Sequence, residues 1–165
     1  MNISISSLEK KHFPVMLEEV IQICNSQKKN QLIVDCTFGG GGYSQALLKF
    51  SNTKVIALDR DKSAISRADL LKNKSSNQFK FYNEKFSNLD KIISTENKPD
   101  FIIFDLGLST FQLKDNSRGF SFNATDKIDM QMGLSDISAE EVINTLDEKK
   151  LKLIIKILGE EQEAN

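Results

Sequence analysis

Leu32-Ile33-Val34-Asp35-Cys36-Thr37-Phe38-Gly39-Gly40-Gly41-Gly42-Tyr43-Ser44 joins a short apolar run to an aspartate, four consecutive glycines and a polar stretch. Leu32 to Val34 reads as a strand covered on both faces, since an apolar run without alternation leaves no solvent side. Glycine has no Cβ, so the turn after the strand lets backbone come close to a ligand. From Ser44 to Phe50 the residues read as a helix. Strand, glycine turn and helix in that order open a βαβ unit.

The same unit repeats downstream. Val55 to Leu58 is a second apolar run ending in Asp59, and Lys62 to Leu71 reads as its helix. Phe79 to Tyr82 is a third strand, with a helix predicted over Phe86 to Ser94. Phe101 to Phe104 is a fourth, followed by Asp105. Upstream, Val15 to Cys24 carries apolar residues at 16, 17, 20, 21, 23 and 24, which predicts an amphipathic helix. The fold class is therefore α/β, a Rossmann-like parallel sheet. Such sheets bind ligands outside the carboxyl ends of their strands, where Asp35, Asp59 and Asp105 all fall.

The alternation breaks from Ser109 to Gly133. Two helices then follow, one opened by Ser138 with Glu141 in capping-box spacing and one over Glu148 to Leu158. The chain stops at Gly159 to Asn165 without a helix stop signal, and four strands make a thin sheet. It reads as a fragment, truncated before the later strands. Residues 1–133 are expected to form a partial ligand-binding domain and 134–165 the beginning of a helical insertion.

Composition narrows the function classes. The 165 residues are 39% hydrophobic and 27% charged with a net charge of −1, a balance that does not suggest a disordered chain. A pI near 5.9 gives no general basic footprint, so any nucleic-acid contact must be local or lie outside this chain. Cys24, Cys36 and the single His12 have no metal-ligand spacing, and the thiols read as reduced and buried. The polar start has neither a basic n-region nor an apolar h-region, and no run reaches a membrane span. The expectation is a cytoplasmic protein with no membrane and no metal; oligomeric state is not legible.

Three ligand classes use a glycine turn after a strand. A phosphate loop needs GK[ST] after its glycines, and Gly42-Tyr43-Ser44 does not supply it. A dinucleotide fold needs G-x-G-x-x-G; Gly39 and Gly41 fit, but Ser44 holds the third glycine's place. S-adenosyl-L-methionine carries a sulfonium and an ammonium, so a nearby carboxylate such as Asp35 attracts it, whereas it would repel a pyrophosphate. Asp59, 20 residues past Gly39, is placed to accept ribose hydroxyls. Both NAD and S-adenosylmethionine contain that ribose, so this carboxylate does not choose between them. Asp105 at the end of the fourth strand is placed to accept from the N–H of an amine and stabilise positive charge developing there; alternatively it contacts the donor or caps the loop that follows.

His12-Phe-Pro-Val-Met-Leu-Glu-Glu-Val20, the glycine stretch from Asp35 to Ser44, Ala57-Leu-Asp-Arg-Asp61, Asp105-Leu-Gly-Leu-Ser109, Gln112-Leu113, Arg118-Gly-Phe-Ser-Phe122, Ile128-Asp-Met130 and Gly159-Glu-Glu161 follow one another in order. From residue 12 onward the sequence resembles the bacterial small-subunit ribosomal RNA cytosine-N4 methyltransferase family (MraW-type). The resemblance implies a class I S-adenosylmethionine-dependent fold with a helical domain inserted after the fourth strand. It implies N4-methylation of a cytidine in 16S ribosomal RNA, with the 30S particle as partner and a flipped or single-stranded base as substrate. Carried over position by position, donor-binding residues fall on Gly41, Gly42, Tyr43, Asp59, Phe86, Asp105 and Gln112, with Asp105 the candidate catalytic group. A narrower alternative is a catalytically inactive fragment that binds the donor. The sequence departs from the family at Tyr43, which replaces histidine, and at Phe111, which replaces proline. Gln131 and Gly133 replace arginine and aspartate, which puts a phosphate or loop-pinning contact in doubt. His12 reads as a loop-organising or substrate-pocket residue.

Overall fold

The computed structural model describes residues 14–25, 30–94 and 98–164; His12 lies outside them. Four strands, β1 (Gln31–Asp35), β2 (Thr53–Leu58), β3 (Phe79–Tyr82) and β4 (Phe101–Ile103), pair in the order β3-β2-β1-β4. All three pairings are parallel. The helices are α1 (Leu17–Asn25), α2 (Gly42–Leu47), α3 (Ala64–Lys74), α4 (Leu89–Ile92), α5 (Thr110–Lys114), α6 (Ala139–Thr145) and α7 (Glu148–Leu158). The chain steps outward from β1 through β2 to β3, then returns to place β4 on the other side of β1. That reversal makes a switch point between β1 and β4, where an open parallel sheet leaves a crevice.

Strand side chains alternate between two cores, as a period of two requires. Ile33, Val55, Ala57 and Phe79 pack on one face with Cys24 of α1, Leu47 of α2, and Ala64, Ala68 and Leu71 of α3. Val34, Ile56 and Leu58 point to the other face, where Leu89, Ile92 and Ile93 cover them. Phe79, Ile33, Leu47 and Leu58 are fully buried, each contributing roughly 1.5–3 kcal/mol against exposure.

The chain forms two compact units, one reaching to Phe111 and one starting at Gln112. In the second, Met130 N–H donates to the Arg118 carbonyl at 2.8 Å, and an Arg118 guanidinium N–H donates to the Gln131 carbonyl. Gly119, with φ of +72°, lies so close to Ile128 that a Cβ would sit 2.9 Å from its Cα. Ser138 caps α6 through the Glu141 N–H at 3.1 Å, in the spacing read from the sequence. Asp147 caps α7 through the Lys150 N–H at 3.0 Å. Among the described residues, no helix is long and apolar enough to cross a membrane.

Some local expectations differ from the structure. The helix predicted over 86–94 is a 3-10 turn at Phe86–Asn88 followed by the single turn of α4. Asn88 (φ −103°, ψ 19°) leaves helical geometry between the two, and Ile93 is extended. Leu89, Ile92 and Ile93 are held on the sheet, so packing rather than propensity sets this segment. Likewise, α2 begins at Gly42 and ends at Leu47 rather than spanning 44–50. The fourth apolar run, continuous like the first, is less covered than β1. Within the described sheet β4 has only β1 beside it, and Ile102 is 45% exposed.

Candidate functional site

The carboxyl ends of β2, β1 and β4 carry Asp59, Asp35 and Asp105 side by side along one edge, because those three strands are neighbours in parallel register. The segment leaving β1 is stitched to both flanking strands. Cys36 N–H donates to the Ile103 carbonyl and Phe38 N–H to the Leu58 carbonyl, each at 2.9 Å. The Asp105 N–H donates to Thr37 Oγ1 at 2.7 Å, which fixes the start of the loop after β4 against the loop after β1. This role of Thr37 was not visible in the sequence, since its partner is 68 residues away.

Asp35 is fully buried. Its Oδ1 accepts from the Thr37 N–H at 3.3 Å and its Oδ2 from Ser44 Oγ at 2.7 Å. Burial pushes its carboxyl up to about 6; the Ser44 and Thr37 hydrogen bonds oppose that rise, and the neighbouring Asp59 charge adds to it. Its two oxygens therefore organise the turn from within. Its charge is still felt along the edge, because Tyr43, raised mainly by burial, is raised further by Asp105 and Asp35.

Asp59 is half-buried. Its Oδ2 accepts from Gly39 N–H at 2.7 Å and its Oδ1 from Asp61 N–H at 2.8 Å. Burial raises its carboxyl, while those two N–H groups and Arg67 pull it down. A carboxylate has about four acceptor positions, so two remain for hydroxyl donors.

The glycine turn needs its composition at defined points. Gly39 and Gly41 have φ of +51° and +77°, the region glycine enters without steric cost. A Cβ on Gly41 would lie 2.7 Å from Phe38 Cζ. Gly42 opens α2 with the Pro14 ring directly against it. Tyr43 is buried, and its hydroxyl donates to the Val15 carbonyl. Its side chain thus anchors α2 to the segment before α1, and its backbone remains at the turn.

Phe86 is 44% exposed and meets Phe104 edge-to-face, with ring centroids 5.4 Å apart. Phe104 immediately precedes Asp105, so an exposed ring pair borders the acidic edge. Asp35, Gly39, Gly41, Gly42, Tyr43, Asp59, Phe86 and Asp105 thus belong to one end of the sheet. Gln112 is the first residue of the other unit, where it is buried. Thr37 and Arg67, which the sequence pattern does not single out, act on the turn together with Ser44. For Ser44 a signal existed, since a hydroxyl stood where a dinucleotide motif has glycine.

The acidic edge thus lies beside a glycine turn bounded by the loops that leave β2 and β4. The sequence matches the MraW methylase family over residues 9–165. The chain belongs to the MraW methylase family. Among its relatives is the ribosomal RNA small subunit methyltransferase H of Orientia tsutsugamushi (strain Boryong), 40% identical over 154 residues, or 93% of this chain and 49% of that protein. The enzyme of the same name from Rickettsia canadensis (strain McKiel) is 42% identical over 154 residues, again 93% and 49%. That from Bartonella tribocorum is 40% identical over 155 residues, 94% of this chain and 46% of that protein. The chain spans about half the length of the MraW-family relatives it matches. Its four-stranded parallel sheet with flanking helices is a Rossmann-like methyltransferase fold, as the sequence reading expected.

Proposed function

We propose that the chain carries the S-adenosyl-L-methionine site of a ribosomal RNA methyltransferase that modifies cytidine N4 in the small subunit. The observation supporting this most directly is Asp59, locked beside the glycine turn by Gly39 with acceptor positions to spare. The residues fit the donor. Gly39 and Gly41 bring backbone close, Asp59 accepts ribose hydroxyls, and Phe86 offers an apolar ring to adenine. Asp35 and Asp105 make the edge negative, which favours a cationic ligand over a pyrophosphate. As functional parts, residues 1–133 are assigned to donor binding and 134–165 to the start of a helical insertion.

The donor, when bound, supplies a methyl group already activated by its sulfonium. The protein's task is then positional. Asp105 accepts an N–H of the cytosine amine, aligns that nitrogen, and stabilises the positive charge it gains as the new bond forms. Exclusion of water and binding of a single-stranded or flipped base complete the requirements. Gln112 is assigned to the donor, and the partner is 16S ribosomal RNA in the 30S particle.

Calorimetric titration with S-adenosylmethionine and NAD tests the donor assignment: only the former binds, and Asp59→Asn weakens it tenfold or more, the loss of about one charged hydrogen bond. Transfer of labelled methyl to 30S particles lacking the modification tests the reaction. Asp105→Ala abolishes transfer while donor affinity stays within a few-fold. A second, narrower reading is favoured by the exposed β4: the 165 residues bind the donor without turnover. Binding without transfer by this chain, alongside transfer by a full-length relative, selects it.

A further inference from the structure

The Gly39 peptide is gripped at both ends. Its N–H donates to Asp59 Oδ2 at 2.7 Å, and its carbonyl accepts from Arg67 Nε at 2.9 Å. Arg67 sits in α3, where its guanidinium also donates to Ser63 Oγ at 3.4 Å and lies 4.4 Å from the centroid of the Phe111 ring. Phe111 in turn covers the next glycine, since a Cβ on Gly40 would lie 2.7 Å from Phe111 Cε2. Three elements thus converge on a two-residue turn: the end of β2, the first half of α3 and the start of α5.

Each contact has a physical use. A left-handed glycine visits other conformations cheaply, so the turn keeps one shape only if its peptide is fixed from outside. A guanidinium donates along its edge and stacks on its face at once, which an ammonium does not. A cation over an aromatic ring adds attraction when partly desolvated. Arg67 is held among Asp59 and Asp61, whose charges act on it. Phe111 closes the arrangement by touching both Arg67 and the glycine backbone.

We propose that Arg67 is a positioning residue of the nucleoside site: through Gly39, and with Phe111 as its stacking partner, it holds the glycine turn and Asp59 in the arrangement that receives a ribose. The proposal rests on the donor reading above, but the brace is present in the free chain and is tested there. The probe for binding is S-adenosylhomocysteine, and the protein is the 165-residue chain.

Arg67→Met, Arg67→Lys, Phe111→Leu and Phe111→Tyr are compared with the parent chain. In nitrogen-15 NMR of the free protein, Arg67→Met shifts the Gly39 amide and speeds its hydrogen exchange at least tenfold, while the Gly133 amide is unmoved. By calorimetry, Arg67→Met weakens S-adenosylhomocysteine about tenfold, as loss of one charged hydrogen bond to the turn requires. Arg67→Lys keeps the charge but not the fork, and regains only part of that loss. Phe111→Tyr preserves the ring face and stays within twofold, whereas Phe111→Leu weakens binding threefold or more. A purely structural role lowers the thermal midpoint without separating tyrosine from leucine. An unmoved Gly39 amide in Arg67→Met, or equal affinities for the two Phe111 variants, overturns the proposal. If Arg67→Met does not fold, the Phe111 pair decides. If the parent chain does not bind S-adenosylhomocysteine, the donor reading fails, and the Gly39 amide still decides the brace.

Discussion

The Ser44 hydroxyl donates to Asp35 Oδ2 at 2.7 Å, and both residues are wholly shielded from solvent. This bond ties the first turn of α2 back to the last residue of β1, across the glycines between them. A carboxylate in such a place is costly, and its pKa near 6 expresses that cost. The acidic edge is therefore built in two depths: Asp35 beneath the turn, Asp59 and Asp105 nearer its surface.

Asp35 makes stability depend on pH. An acid whose pKa is higher in the folded than in the unfolded chain binds its proton more tightly when folded. Its contribution is full below about pH 4 and is lost as pH rises through about 6. Asp35→Asn has no such loss, so from pH 4 to 7.5 its unfolding free energy gains about 2 kcal/mol on the parent chain. Urea denaturation of both proteins across that range measures the difference. Parallel profiles would mean that Asp35 is not buried as described.

Ser44→Ala removes the hydroxyl donor to a buried carboxylate and puts nothing in its place. The expected cost is roughly 1–3 kcal/mol at pH 7.5, where Asp35 is ionised. At pH 4, with Asp35 protonated, the cost shrinks. Denaturation at the two pH values checks both the size and the direction.

The sheet was legible because three of its four strands are short apolar runs ending in aspartates, and a run of that kind has few alternatives. That Asp35, Asp59 and Asp105 end parallel strands could be read from the sequence; that their strands are neighbours came only with the order β3-β2-β1-β4. Less legible was what each carboxylate touches. The partners of Asp35 and Asp59 are a hydroxyl 9 residues away and an amide 20 residues away, fixed only once the turn has closed. Arg67 carried no signal at all, since its carbonyl partner is 28 residues distant. The segment 86–94 misled because apolar spacing at Leu89, Ile92 and Ile93 suits a helix as well as a sheet-covering turn. The loop at 118–131 shows the opposite case. Its bond from Arg118 runs to the backbone of Gln131, so the altered side chain there leaves that contact intact.

Gly41→Ala places a side chain on a residue with φ of +77° and drives its Cβ into the Phe38 ring. Phe38 packs on Phe79 and Phe81, so it has little room to yield. Left-handed backbone without glycine costs of order 1–3 kcal/mol before the clash is counted. The expected result is a thermal midpoint lower by several degrees, at about 2–4 °C per kcal/mol for a chain of this length. Donor affinity falls as well, because the turn moves. Calorimetry and thermal melts on the same preparation separate the two effects.

Phe86 distinguishes a binding ring from a packing ring. It is 44% exposed, and its ring meets Phe104 edge-to-face. A half-exposed ring in such a contact contributes little to folding, so Phe86→Ala costs about 1 kcal/mol or less, well below the 3–5 kcal/mol typical of a core phenylalanine. If the ring packs on adenine, donor affinity drops tenfold or more in the same variant, while Phe86→Tyr retains it. Urea midpoints and S-adenosylmethionine affinities of both variants separate the two roles. A loss of stability with unchanged affinity would assign Phe86 to the core and remove it from the site.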